Sequence, residues 1–210
     1  MATILNITMS LDGFVAGQNQ TLEEPLGEHG EDLHQWIIGL ESWREQHGRE
    51  GGERNADGEL VSAMRDRTGA FVMGRRMFSG GEGSWEDDPN ANSWWGDDPP
   101  FEGPVFVVTH HEREQLVRGT TTYTFVDGVE EAVRQAREVA GDKDVQVSGG
   151  ANVAQQALDA GLLDELHIHV APVLLGSGVR LFDRPKLRTI ELVRSVESPQ
   201  VTHLVYQVGG

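Results

Sequence analysis

The stretch that most restricts this chain is Val145-Gln-Val-Ser-Gly-Gly-Ala-Asn-Val-Ala-Gln-Gln-Ala-Leu158. Val145 and Val147 alternate as in a short strand, Ser148-Gly149-Gly150 forms a tight turn, and Asn152 to Leu158 opens a helix. Strand, glycine pair and helix in that order place the chain among α/β proteins. The same unit is suited to an anion. Bare glycine backbone lets a charged group come close, and the unpaired N–H groups and dipole of the helix hold it. Alone, such a turn serves equally well as a plain connection, so the rest of the chain has to decide.

Thr3 to Met9 reads as a buried strand that runs into Ser10-Leu-Asp-Gly-Phe-Val-Ala-Gly17, where Asp12-Gly13 signals a turn. Glu31 to Leu40 reads as a helix, with Leu33, Trp36, Ile37 and Leu40 on one face and Trp43 continuing it. A glycine-rich charged segment follows, and Asp57 is placed to cap a second helix. Ala70–Met73 is a strand, and Gly74-Arg-Arg-Met-Phe78 turns into a short helix. Residues 80–103 form an enlarged loop carrying Trp85, Trp94 and Trp95, and loops of this length are usually functional.

Pro104–Thr109 is a strand, with a short helix expected from His110-His111 through Leu116. Thr121–Val126 is another strand, and Val129–Ala140 is an amphipathic helix with Val139 on its apolar face. Beyond the opening stretch, Asp164–Leu175 is a strand, and 187–196 with 201–208 form a closing antiparallel pair. The pattern predicts an α/β fold: one domain over 1–210, with a mixed, mostly parallel sheet of about eight strands and helices on both faces.

A chain of 210 residues can bury a full core. No apolar run approaches the roughly 20 residues of a spanning helix, and the N-terminus lacks the marks of a signal peptide, so a soluble cytoplasmic protein is the default. Without cysteine there is no thiol nucleophile. The formal charge of −17 argues against nucleic acid and anionic membrane as partners. An anionic ligand then needs a local positive island, and with lysine confined to Lys143 and Lys186 it falls to arginine and histidine to form it.

Three turns share a design: Val72-Met-Gly-Arg-Arg76, Val108-Thr-His-His111 and Val147-Ser-Gly-Gly-Ala-Asn152. Ligands of open α/β sheets lie beyond the carboxyl ends of the strands, where all three turns fall. Arginines, a hydroxyl with two histidines, and bare backbone at a helix start suit a ligand with several separated phosphates. A dinucleotide bearing a 2′-phosphate fits better than a mononucleotide.

With Met9-Ser-Leu-Asp-Gly-Phe-Val-Ala-Gly17, Val72-Met-Gly-Arg-Arg76, Ser148-Gly-Gly150 and Asp164-Glu-Leu-His-Ile-His-Val-Ala-Pro-Val-Leu-Leu-Gly-Ser-Gly-Val-Arg-Leu-Phe182, the sequence resembles the dihydrofolate reductase superfamily. Within it, the closest likeness is to the reductase domain of the bifunctional riboflavin-biosynthesis deaminase/reductase. The resemblance implies NADPH as hydride donor and a small heterocyclic or ribosyl-amine substrate. It puts Gly74, Arg75 and Arg76 at the cofactor phosphates, and Thr109, His110 and His111 around the adenosine 2′-phosphate. Ser148, Gly149, Gly150, Ala151 and Asn152 would hold the pyrophosphate, and Ala16 and Gly17 would lie by the nicotinamide.

Hydride transfer also needs a proton. The resemblance makes Asp32 the candidate acid, provided it lies in an apolar pocket that raises its pKa. Trp36 would be a substrate wall, and Asp12 a polar group near the nicotinamide. The riboflavin branch lacks such an acid, so water or substrate would then protonate the product. His167-x-His169 shares one strand face, but the resemblance implies no metal. The expected activity is that of a 5-amino-6-(5-phosphoribosylamino)uracil reductase. Dihydrofolate reductase is the alternative enzyme, and a non-catalytic nucleotide-binding protein is the alternative of another class. The closing edge pair and the tryptophan loop make a homodimer the expected assembly.

Overall fold

In the computed structural model, residues 1–183 and 188–209 are described. The strands are β1 (Thr3–Ser10), β2 (Phe14–Ala16), β3 (Thr68–Gly74), β4 (Pro104–Val108), β5 (Leu116–Arg118), β6 (Thr121–Val126), β7 (Asp144–Gly149), β8 (Glu165–Ala171), β9 (Val179–Arg180), β10 (Ile190–Glu197) and β11 (Thr202–Val208). The helices are α1 (Gln35–Ile38), α2 (Glu41–Gln46), α3 (Ala56–Arg67), α4 (Arg75–Ser79), α5 (Val129–Ala140) and α6 (Ala151–Asp159). Nine strands form one sheet in the order β10-β11-β8-β1-β7-β3-β4-β6-β5, and β2 pairs with β9 in a small second sheet.

From β8 to β6 every neighbouring pair is parallel. The antiparallel ladders are β8 with β11, β11 with β10, and β6 with β5. This is the mixed, mostly parallel α/β architecture the sequence predicts, with one strand more than expected in the main sheet. Helices α5 and α6 cover one face, over Leu5, Val72, Val145, Val147, Leu166 and Ile168. On the other face, Phe71, Met73, Val105, Val107 and Tyr123 pack with Phe78 of α4 beneath the 80–103 loop. Farther along that face, Trp36, Leu40 and Val201 pack beneath α1–α3.

Several local expectations are corrected. The helix over 31–40 is broken into a 3-10 turn at Gly30–His34, α1, and α2. Leu40 is extended because it bridges to Glu53. Asp57 does not cap α3: the Asn55 side chain accepts from the N–H groups of Asp57 and Gly58. No helix follows His111, and the chain goes directly into the β5–β6 hairpin. Val139 is 55 % exposed, and Ala140 takes its place on the buried stripe of α5. Strand β10 begins at Ile190, and the Leu187 start assigned to it lies outside the described residues.

Residues 80–103 carry little regular structure, yet they are folded onto the domain. The Trp94 and Trp95 indole N–H groups both donate to the Met77 carbonyl, and that of Trp85 donates to the His111 carbonyl. Trp85 meets Phe78 and Phe125 edge-on, and Trp95 meets Phe101. The tryptophans therefore pin the loop onto the domain.

Candidate active site

Adjacent strands β7, β3 and β4 end side by side, which brings the three turns into one row. The first and third touch. A Cβ on Gly74 would stand 3.6 Å from the Gly150 nitrogen and 3.1 Å from Val153. Gly149 has φ +126°, a backbone conformation that side chains rarely adopt. The Gly149–Gly150 peptide is cis. Helix α6 begins at Ala151 with no side chain capping it. Its first N–H groups lack helical partners, and a Cβ on Gly150 would meet only open space. The uncapped helix start and the open space at Gly150 fit a diphosphate approaching the backbone.

The first loop closes the groove from the β1 side. Ala16 is buried, and the Gly17 N–H donates to the Leu26 carbonyl at 2.8 Å. A Cβ on Gly17 would overlap the Glu28 carbonyl, so glycine is obligatory there. Asp12 ties this loop to the chain after β8. Its carboxylate accepts from Ser10 Oγ at 2.6 Å, from the Leu175 N–H at 3.1 Å and from the Gly176 N–H at 2.7 Å. The hydrogen bond from Ser10, with those backbone donors, holds Asp12 below the usual carboxylate range. Asp12 is thus an ionised anchor of the loop.

Between this loop and α6 lies an open groove of about 420 Å³ lined by Phe14, Ala151, Asn152, Gln155, Arg180 and Asp183 among others. Arg180 stacks on Phe14 with its guanidinium carbon 4.4 Å from the ring centroid. Sequence reasoning passed over Arg180, although it stands two residues beyond the Gly176-Ser-Gly178 turn. Only the pairing of β9 with β2 carries it to the start of α6.

Other expected residues lie elsewhere or face another way. Asp32 is exposed and pairs with His29 at 3.3 Å, outside any apolar pocket. Trp36 is buried in the core, its ring 5.1 Å from that of His169 and 5.2 Å from that of His203. Arg75 turns inward. It forms a 2.6 Å ion pair with Asp88, donates to Ser79 and lies 3.5 Å over the Trp85 ring. The helical turn of α4 carries its side chain under the long loop, away from the groove. Arg76 stays exposed, bound to Glu82 and Gln20. At the second turn Thr109 is buried, its Oγ1 accepting from the His111 N–H, while the exposed His110 ring pairs with Asp127 at 2.6 Å. The Ser148 hydroxyl accepts from the Gln146 side chain.

His167 and His169 do share a face, and each is engaged. His167 bonds to Glu165 at 2.8 Å, and burial lowers its pKa. His169 bonds to Asn6 at 2.6 Å and to His203 at 2.7 Å. The Asp57 carboxylate accepts from His203 at 3.0 Å and from Ser198 at 2.9 Å.

A parallel sheet with its turns aligned at the carboxyl ends, antiparallel strands at both edges and an uncapped helix behind a glycine pair defines a dihydrofolate reductase-like α/β domain. The RibD C-terminal domain model matches residues 2–204, and the chain belongs to that family. It is 28 % identical over 216 residues to the uncharacterised protein YyaP of Bacillus subtilis, across 99 % of this chain and 95 % of that one. Among solved structures, it resembles a putative riboflavin biosynthesis protein from Shewanella with TM-score 0.66, 23 % identity and full coverage of both chains. A bifunctional diaminohydroxyphosphoribosylaminopyrimidine deaminase/5-amino-6-(5-phosphoribosylamino)uracil reductase from Thermotoga maritima gives TM-score 0.59 at 14 % identity. That match covers 99 % of this chain and 56 % of the other. At such identities the likeness is one of fold. No helix among the described residues is long and apolar enough to cross a membrane.

Proposed function

We propose that the protein is a dinucleotide-dependent reductase of a small heterocyclic substrate, of the 5-amino-6-(5-phosphoribosylamino)uracil reductase type, with a reduced nicotinamide dinucleotide as the donor. The observation that carries this reading is the alignment of three turns on neighbouring parallel strands, one of them an open Gly-Gly step at an uncapped helix start. When bound, the nicotinamide supplies a hydride. The chain's own residues bind and orient. Ser148 to Asn152 hold the diphosphate through backbone N–H groups, and Gly74 leaves room beside them. Ala16 and Gly17, fixed by the Asp12 anchor, form the wall next to the reacting ring. Arg180, stacked on the buried Phe14 ring, offers a cation to a planar, partly anionic substrate.

Asp32, exposed and bound to His29, does not supply the proton in this reading. Asp12 is held ionised and supplies none at neutral pH. Protonation therefore comes from water or from the substrate, and the open groove admits solvent.

Titrating the protein with NADPH and NADH while following tryptophan fluorescence tests the binding half. A screen of pyrimidine ribosyl-amines for nucleotide oxidation tests the other half. Binding without oxidation of any heterocycle would favour a nucleotide-binding protein that lacks turnover.

A further inference from the structure

The second turn does not fit the phosphate that distinguishes NADPH from NADH. A phosphate monoester carries close to two negative charges at neutral pH and is held by cations or several N–H donors. The two arginines near this corner are committed elsewhere. Arg75 is 7 % exposed and paired with Asp88. Arg113 lies 4.6 Å over the same Trp85 ring and donates to the Ala91 carbonyl. Facing outward are the His110 and His111 imidazoles and the carboxylates of Asp127, Glu112 and Glu114. The uncapped start of α5 follows Asp127, and its first turn carries Glu130 and Glu131, which disfavour an anion there.

Asp127 stands directly after β6, where the Thr109 N–H donates to the Val126 carbonyl at 2.9 Å, so its carboxylate flanks the second turn. It is 74 % exposed and fixes the His110 ring at 2.6 Å. An acidic side chain beside the ribose of a dinucleotide accepts from the free 2′-hydroxyl and repels a 2′-phosphate. The protein's net charge of −17 adds to that repulsion.

Resting on the dinucleotide reading, we infer that Asp127 sets the cofactor choice of this groove and makes it bind NADH at least as tightly as NADPH. Asp127 accepts from the ribose hydroxyl, and His110 is held in place by the same carboxylate.

Calorimetric titration of the full chain with each nucleotide at low salt tests this, for the natural sequence and for Asp127→Asn. The natural protein is expected to show a Kd for NADPH equal to or larger than that for NADH. Asp127→Asn is expected to move the ratio about tenfold toward NADPH, the scale of one like-charge contact near a protein surface. A tenfold or greater preference for NADPH in the natural protein overturns the inference while the reductase reading stands. An unchanged ratio in Asp127→Asn removes Asp127 as the determinant and overturns it too. If neither nucleotide binds, the dinucleotide reading fails and the inference falls with it. Thermal melting of both proteins confirms that the variant is folded, as expected for an exposed side chain.

Discussion

His169 on β8 and His203 on β11 meet through their Nδ1 atoms at 2.7 Å, a contact that requires a single proton between two imidazoles. Burial pushes His169 down to about 3, and the neighbouring His203 and His167 add like charge. In the unfolded chain a histidine titrates near 6.5. As pH falls below about 6.5, the unfolded chain takes up a proton that the folded chain refuses until about pH 3. Stability therefore drops across that window by up to roughly 1.4 kcal/mol per pH unit from this group. Urea midpoints measured from pH 7 to pH 4.5 check the prediction. His169→Gln should be less stable at pH 7 and should lose less on acidification. Parallel curves for the two proteins would reject it.

Arg75 and Asp88 are both nearly sealed from water. Asp88→Asn leaves a buried guanidinium without its counter-charge, and removing one partner of a buried pair costs about 3–5 kcal/mol. Denaturant unfolding should show that loss. Arg75→Ala should likewise act on stability. A variant that stays fully stable but loses nucleotide affinity would place Arg75 at a phosphate after all.

Sequence reasoning found the sheet and the row of turns because both are written locally, in alternating valines and in glycines at strand ends. It misread side chains whose direction is set by distant partners. Asp57 looks like a helix cap, yet its carboxylate serves His203, 146 residues away. Arg75 sits in the expected turn, but Asp88 and Trp85 draw it under the loop. Trp36 belongs to an apolar stripe in either reading, and only the packing of α1 on β8 and β11 shows that it faces two histidines. Asp127 gave no signal, since its position depends on β6 lying beside β4.

At Gly149 any side chain must adopt φ +126°, so Gly149→Ala should destabilise the fold by about 1–2 kcal/mol. Gly150 has φ −75° and open space where its side chain would stand. Gly150→Ala should intrude on the diphosphate path and weaken nucleotide binding about tenfold or more, equivalent to at least ~1.4 kcal/mol. Calorimetry on the folded variant decides; full affinity would mean that the ligand does not cross this backbone.

Asp32→Asn should leave turnover within about twofold, because the side chain is exposed and, among the described residues, bound only to His29. Steady-state kinetics over a range of pH checks this. A hundredfold loss, the scale of a missing general acid, would restore Asp32 to the reaction.

The place of β1 in the sheet bears on how the protein is made. It is synthesised before the other strands of this domain, yet it lies between β7 and β8, with Thr3 opposite Val145 and Ile4 opposite Glu165. At ribosomal speeds, roughly seven to thirty seconds pass before either neighbour is made. During that interval an apolar central strand has both edges bare, a template for pairing with another nascent chain. Expression at low temperature or with added chaperones should therefore raise the soluble yield more than any change to the finished surface.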